Sequence, residues 1–174
     1  LLTGEERTEP PTARYFVDAD VTPPIAFSNS ADVVVAGLVQ SYARPGVNRT
    51  GVSFYSLELV PKRMALMKEC LPKMKQVAIV GWPPHAGEGM ELDAAKVAAA
   101  KLGLQQRYYG AHNAAEVDAA LEAIAQTRAD AIMVFAGTVA AAHGDRFAAF
   151  SLRTRIPAVS AWAEFADSGN LMSY

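Results

Sequence analysis

The sequence predicts an α/β fold, a three-layer sandwich in which helices cover both faces of a parallel sheet. From residue 56 onward, helix-like and strand-like segments alternate almost to the end of the chain. Such alternation is typical of βαβ units with right-handed crossovers. In addition, Gln76–Gly81 is an apolar run, as expected of a strand that is covered on both faces.

The first part of the chain gives weaker signals. Residues 1–23 are rich in Thr, Glu and Pro, and the apolar run at residues 25–27 predicts a short buried strand. Residues 32–41 predict a short helix in spite of their β-branched side chains. Residues 43–53 contain Pro and Gly turn signals. They predict a surface loop or, alternatively, a crossover between two lobes beside which a ligand could bind.

Beyond residue 53 the sequence predicts four helices and four strands. The predicted helices cover residues 56–71, 88–102, 113–124 and 139–152, and the predicted strands cover residues 76–81, 104–109, 131–135 and 156–160. The strand over 104–109 is more polar than the strand over 76–81. We therefore place it nearer an edge of the sheet.

Capping residues set the ends of these helices. Ser56 and Asn113 are placed to cap first turns, and Gly103 is placed as a C-terminal stop. Pro61 is expected within the first turn or so of its helix, where its missing N–H costs little. Along residues 88–102, the apolar residues at helical spacing are Met90, Ala94, Val97, Ala98 and Leu102.

The composition is that of an ordinary globular protein. The 174 residues are 51% apolar and 20% charged, which suits one core or one lobe plus part of another. The formal net charge is −2 and the basic residues are spread among acidic ones, so no nucleic-acid partner is predicted. No apolar run could span a bilayer, so no direct membrane insertion is predicted. The ends of the chain indicate a piece of a longer protein.

No constellation of side chains points to catalysis. A Gly-rich phosphate loop, a Gly-x-Ser-x-Gly elbow and paired cysteines are all missing from the sequence, which predicts neither an enzyme nor a bound cofactor or metal. His85 and His112 fall at predicted strand ends, where solvated loop residues are the favoured interpretation and a shared site is the alternative. The single cysteine, Cys70, is expected to be a buried, small hydrophobic side chain.

Trp82 and Trp162 are the most informative side chains for function. Ligands of parallel sheets bind beyond the carboxyl ends of the strands, and both tryptophans follow such an end. Two indoles at this edge could wall one cleft and stack on a ligand. The alternative, in which one indole simply plugs the lobe, is about equally favoured.

Two segments resemble a known family. Residues 43–51, with the sequence ARPGVNRTG, resemble the (L/A)-A/E-R-P-G-G-N-V-T-G segment of bacterial ABC-transporter substrate-binding proteins of the tryptophan/tyrosine type. RIPA over residues 155–158 and EFADSGNLMSY over residues 164–174 are similar to that family's R-x-P-A…E-F…x-G-G-L-M-S-Y-G. The resemblance covers most of residues 22–174 in the same order.

The resemblance implies a type I periplasmic-binding-protein fold, in which two α/β lobes joined by crossovers close on a small ligand. Residues 1–42 would hold the end of the first lobe, 43–53 a crossover and hinge, 54–160 the second lobe, and 161–174 the return crossover. Most of the first lobe and the C-terminus would lie outside this chain. Hinge motion would fall at glycines such as Gly46, Gly51 and Gly169.

The resemblance also implies a function. The chain would be the solute-binding component of an ABC transporter, which captures a small organic, amino-acid-like solute in the cleft between the lobes and passes it to a membrane permease subunit. The location would be periplasmic or otherwise extracytoplasmic, with a lipid anchor as one option for the full-length protein. The expected ligand-binding residues are Ser28, Asn29, Trp82, Thr138, Ser160 and Trp162.

Departures from the family pattern leave the solute class open. The family's aromatic-Asn-Pro is Trp82-Pro83-Pro84 here, which loses an amide, and its Pro-Asp-Pro is Gly137-Thr138-Val139, which loses a carboxylate. One alternative is a ligand-sensing domain of a signalling protein with the same fold. An enzyme on a doubly wound sheet is less favoured, because fold does not determine function and no base–nucleophile pair is visible.

Overall fold

The structure is a computed structural model of the chain. It describes residues 25–29, 33–34, 39–44, 46, 48–53, 56–85 and 87–174, with only the backbone described at 25–29, 53 and 56. The chain divides into two compact units, Leu1–Ser56 and Leu57–Tyr174. The finer division into lobe, crossover and return crossover stays a prediction.

The first unit contains two parallel strands. Strand β1 (Ile25–Asn29) pairs with β2 (Arg49–Ser53) in a register that sets Ile25 opposite Arg49 and Asn29 opposite Ser53. The strand predicted at residues 25–27 is confirmed and runs two residues further. The interpretation of residues 43–53 as a simple surface loop is wrong for Arg49–Ser53, because the turn residues before it obscured a strand. The helix predicted at residues 32–41 lies largely outside the described residues.

The second unit is built around a five-stranded sheet in which every pairing is parallel. Its strands are β3 (Gln76–Gly81), β4 (Gln105–Gly110), β5 (Ala131–Val134), β6 (Ala158–Ser160) and β7 (Met172–Ser173), in the spatial order β4-β3-β5-β6-β7. The helices are α1 (Ser56–Cys70), α2 (Glu88–Lys101), α3 (Ala114–Ala125), α4 (Thr138–Thr154) and α5 (Ala163–Asp167). The predicted parallel sheet is confirmed, and so is the edge position of β4.

Alternate residues of the strands belong to two separate hydrophobic cores. In β3, Val77 and Ile79 belong to a first core cluster with α1 and α2, whereas Ala78 and Val80 belong to a second core cluster with α3, α4 and α5. Since successive side chains of a strand point to opposite faces, each cluster occupies one face of the sheet. The three-layer sandwich is therefore confirmed.

The predicted caps of two helices are confirmed. After α2, Gly103 has φ +66°, its N–H donates to Ala100 O at 3.2 Å, and Leu104 N–H donates to Ala99 O at 2.8 Å. These two bonds form a Schellman motif, which explains why glycine stands there. Before α3, the Asn113 side chain accepts a hydrogen bond from Glu116 N–H at 3.0 Å.

Three expectations about side chains are wrong. Pro61 is the sixth residue of α1, so it lies in the second turn and cannot donate to the Leu57 carbonyl as a helical N–H would. Val97 is 56% exposed, because the buried face of α2 follows Glu88, Glu91, Ala95, Ala98 and Ala99 instead. Cys70 is exposed, because it is the last residue of α1 and lies beyond the buried turns.

Helix α4 is broken in its first half. His143 has non-helical backbone angles (φ −133°, ψ 21°), and the next residue, Gly144, packs so closely on α5 that an added Cβ would lie 2.9 Å from Ser168 Oγ. The buried Asn170 amide donates to the carbonyl oxygens of Gly144 and Phe165, both at 2.8 Å. These bonds fix α5, and the chain that enters β7, against the break in α4.

Candidate ligand site at the carboxyl edge of the sheet

The carboxyl ends of all five strands lie at one edge of the sheet, because the strands are parallel. Trp82 follows β3, Thr138 follows β5, Ser160 ends β6 and Trp162 follows it. Four of the predicted ligand-binding residues are thus brought to the same edge. β5 lies between β3 and β6, so the strands that lead to the two tryptophans are about 10 Å apart at the usual strand spacing.

Both tryptophans are half-buried and pack against the second core cluster. Their indoles therefore border the same face of the sheet, at its carboxyl edge. Trp162 has an extended backbone (φ −89°, ψ 137°) just before α5, and its carbonyl accepts a hydrogen bond from Phe165 N–H at 3.0 Å. This bond fixes the main chain that carries the indole.

Thr138 and Ser160 are placed very differently. Thr138 is exposed as the first residue of α4, directly after Gly137. Ser160 is 1% exposed, and its hydroxyl donates to the Val134 carbonyl oxygen at 3.0 Å. Because that proton is committed within the sheet, a bound ligand could use only the oxygen of Ser160, as an acceptor. Its role as a ligand-binding residue stays a prediction.

Ser28 and Asn29 are the last two residues of β1, opposite Val52 and Ser53 of β2. They end a strand, as predicted. Their side chains lie outside the described part of the structure, so their proposed contact with a ligand stays a prediction.

The two loop histidines make local contacts. His85 Nδ1 accepts a hydrogen bond from Gly87 N–H at 2.9 Å, and burial lowers the pKa of His85, which favours the neutral ring. His112 is exposed, and its Nδ1 lies 2.6 Å from Glu116 Oε2. Hydrogen bonds from the ring and the backbone N–H of His112 lower the pKa of the Glu116 carboxyl. Both histidines thereby stabilise the turns that precede α2 and α3.

Sequence reasoning missed a set of buried charged side chains on α1 and α2. Arg63 and Glu91 are each 1% exposed, and Glu88 is 8% exposed. Arg63 Nε donates to the backbone oxygen of Tyr174 at 2.7 Å, directly after β7. Burial lowers the pKa of Arg63, and the negative charge of Glu91 acts in the opposite direction. The available signal was the 3.6-residue spacing that places Glu88 and Glu91 on one face of α2 with Ala95.

The described residues contain neither a cluster of metal ligands nor a membrane-spanning helix. No three side chains of His, Cys, Asp or Glu come together there as a possible metal site. No helix in the described ranges is both long and apolar enough to cross a membrane.

Several known proteins are similar to this chain in sequence or structure. Residues 8–174 match the family described as "ABC transporter substrate binding protein". The structure is similar to that of a conserved domain protein from Vibrio cholerae O1 biovar El Tor, with 30% identity, a TM-score of 0.78, and coverage of 93% of this chain and 54% of that chain. No curated protein matches the chain.

Two further solved structures are similar. An ABC domain in complex with L-Trp from Streptococcus pneumonia has 20% identity and a TM-score of 0.75, over 93% of this chain and 55% of that chain. A ligand-free, open substrate-binding protein with adhesive properties from Clostridium difficile has 25% identity and a TM-score of 0.67, over 93% and 54% respectively. This chain therefore spans about half the length of the solved chains it matches.

Proposed function

The chain belongs to the family of ABC transporter substrate-binding proteins, and we propose that it captures a small organic, amino-acid-like solute and delivers it to a membrane permease. Its second unit has the fold of a type I periplasmic-binding-protein lobe. We therefore propose that the chain is a binding protein rather than an enzyme. The whole protein would act outside the cytoplasm, in the periplasm or anchored to a membrane by a lipid.

One observation carries the proposal. Two half-buried indoles, Trp82 and Trp162, border the same core cluster at the carboxyl edge of a parallel sheet, where ligands of such sheets bind. Partly exposed aromatic faces can stack on planar or apolar parts of small molecules. We place the solute against this edge, in a cleft that the first lobe of the whole protein would complete.

An amino-acid-like solute suits the neighbouring groups. Thr138 is exposed at the same edge of the sheet, and its hydroxyl can both donate and accept a hydrogen bond. The similar fold from Streptococcus pneumonia was solved with L-Trp, which supports testing aromatic amino acids first. Pro83, Pro84 and Gly137 offer no side-chain amide or carboxylate at this edge, so we expect a selectivity different from that of relatives that have those groups.

Closure would use glycines that other residues could not easily replace. Gly46 has φ +73° and Gly169 has φ +99°, angles that favour glycine. We propose both as hinge positions, together with Gly51 in β2. Solute that contacts the closed form better than the open form would shift the population toward closure.

The test is a thermal-shift screen of the full-length protein against amino acids, short peptides, nucleosides, sugars and organic acids. A solute at about 100 times its dissociation constant should add roughly 2.7 kcal/mol to the free energy of unfolding, which raises Tm by a few degrees. Trp162→Ala and Trp82→Ala should each weaken binding of the hit. Val97→Ala, on the exposed side of α2, is the matched control and should bind normally. If the protein is folded and no solute in the panel raises its Tm, the proposal is contradicted.

A further inference from the structure

A buried carboxylate lies where β3 ends. Glu88 opens α2, yet its side chain is only 8% exposed. Its Oε1 accepts a hydrogen bond from Tyr108 Oη of β4 at 2.8 Å. Burial raises the pKa of this carboxyl, and its contacts with Tyr108 and with the Trp82 backbone act in the opposite direction. Gly81 makes room for this group, because a Cβ at that position would collide with Glu88 Oε1. One carboxylate thus joins β3, β4 and α2.

The loop between β3 and α2 is closed by further bonds. His85 N–H donates to the Trp82 carbonyl at 2.9 Å, and Glu88 N–H donates to the His85 carbonyl at 3.0 Å. Gly87 N–H donates to His85 Nδ1 at 2.9 Å. The Trp82 main chain is therefore held on two sides. The turn binds its carbonyl, and the Glu88 carboxylate packs against Gly81, the residue before Trp82.

The carboxylate acts from the opposite side of the sheet to the indole. Tyr108 packs with the first core cluster, on the face covered by α1 and α2. The Trp82 side chain packs with the second core cluster, on the other face. Glu88 and Tyr108 therefore reach Trp82 through its main chain, which leaves the indole free of them.

We propose that Glu88 and Tyr108 are positioning residues of the solute site: their hydrogen bond holds the carboxylate against the end of β3 and so sets the place of the Trp82 indole at the carboxyl edge. The inference rests on the proposed function, in which Trp82 contacts the solute. An ionised carboxylate suits this role because hydrogen bonds to a charged acceptor are short and strong. An amide at the same place offers one acceptor atom and brings a donor that the site does not need.

The positioning role can be read on the unliganded, full-length protein. The indoles are labelled with 5-fluorotryptophan, and the Trp82 resonance is identified as the one that Trp82→Phe removes. Glu88→Gln and Tyr108→Phe should each shift this resonance, and each should speed the exchange of the Trp82 amide hydrogen about tenfold, as expected for one weakened charge-assisted bond.

The neighbouring tyrosine supplies the matched control. Tyr109 packs with the second core cluster, on the face opposite Glu88, so Tyr109→Phe should leave the exchange rate of the Trp82 amide hydrogen unchanged. Tyr108→Phe removes only a hydroxyl and keeps the inference testable if Glu88→Gln does not fold. An unshifted Trp82 resonance and an unchanged exchange rate in Tyr108→Phe would overturn the inference.

Titration with L-tryptophan separates this inference from the proposed function. We expect Trp82→Ala to lose most of the affinity and Tyr108→Phe to raise Kd severalfold. Normal binding by Tyr108→Phe, with binding lost in Trp82→Ala, would overturn the positioning role alone. Normal binding by Trp82→Ala would count against the proposed function. No binding of L-tryptophan by the wild type would count against an aromatic amino acid as the solute, and the unliganded resonances would still decide whether Glu88 and Tyr108 hold Trp82.

Discussion

The two faces of the five-stranded sheet are held together in different ways. Among the described residues, every buried charged side chain belongs to the face covered by α1 and α2, namely Arg63, Glu88 and Glu91. The opposite face, covered by α3, α4 and α5, is filled by aromatic and aliphatic side chains, including Phe147 and Phe165 with ring centroids 5.6 Å apart. Its charged pairs lie on the outside.

The difference separates two tasks of the lobe. Directional bonds on the charged face fix main-chain positions, such as the backbone oxygen of Tyr174, which accepts from Arg63. Close packing on the apolar face supplies the surface that the two indoles border. Substitutions on the two faces should therefore change the stability of the protein in different ways.

The largest expected effect is on the apolar face. Phe147 is fully buried and contacts Phe165, so Phe147→Ala should lower the free energy of unfolding by about 4 kcal/mol, through lost burial and the cavity left behind. Urea denaturation followed by circular dichroism measures this loss. Leu152→Ala is the control on the same helix, since Leu152 is 80% exposed, and a similar loss there would contradict the explanation.

On the charged face, removing one partner should cost more than removing both. Arg63→Met leaves the buried Glu91 charge without its cation, so we expect a loss of about 3 kcal/mol. The double variant Arg63→Met/Glu91→Leu should regain most of that stability, because two apolar side chains then replace two desolvated charges. Chemical denaturation of the single and double variants is the measurement. Additive losses would show that the two charges do not stabilise each other.

The two faces should also respond to pH with opposite signs. Burial raises the pKa of Glu88, so its carboxyl binds a proton more tightly in the folded state. Stability from this group is present at low pH and is lost as pH rises from the ordinary glutamate range, about 4.3, through the raised pKa. The pKa of Glu116 is lowered by His112, so its contribution is lost as pH falls. Glu88→Gln and Glu116→Gln should therefore change the slope of Tm against pH in opposite directions; equal slopes would contradict this reasoning.

The smallest expected effect comes from the exposed ion pairs of the apolar face. Arg146 Nη1 lies 2.6 Å from Asp118 Oδ2 and joins α4 to α3, with both side chains substantially exposed. Arg146→Ala should cost less than about 1 kcal/mol, because water and salt screen such pairs. Denaturation at low and high salt checks this value. If Arg146→Ala lowered the free energy of unfolding as much as Arg63→Met, the proposed difference between the two faces would be contradicted.

Local signals in the sequence predicted most of the fold. The alternation of helix and strand patterns predicted the parallel sheet, the polar strand predicted the edge position of β4, and Asn113 and Gly103 predicted helix ends. The strand order was not predictable, because pairing of β3 with both β4 and β5 depends on contacts far apart in the chain. The break at His143 was also hidden, since Gly144 and Asn170 explain it only once α5 packs against α4.

The candidate site, like the fold, could be predicted from the sequence only in part. The rule that ligands bind beyond strand carboxyl ends placed Trp82, Thr138, Ser160 and Trp162 at one edge, where the structure also has them. The commitment of the Ser160 hydroxyl to Val134 could not be read from the sequence, because it requires the register of β5 and β6. The burial of Glu88 was hidden too, since a glutamate in a first helical turn is normally solvated.

Strand β4, at the edge of the sheet, bears on how the protein behaves at high concentration. Its one neighbour in the described sheet is β3, so its other side presents backbone N–H and C=O groups on which a second copy could add a strand. Arg107 stands exposed in the middle of β4, with its guanidinium 5.4 Å from the centre of the Tyr109 ring. A fixed positive charge at this point would be desolvated and opposed by its own copy in edge-to-edge pairing. We therefore expect Arg107 to disfavour edge-to-edge pairing of two copies.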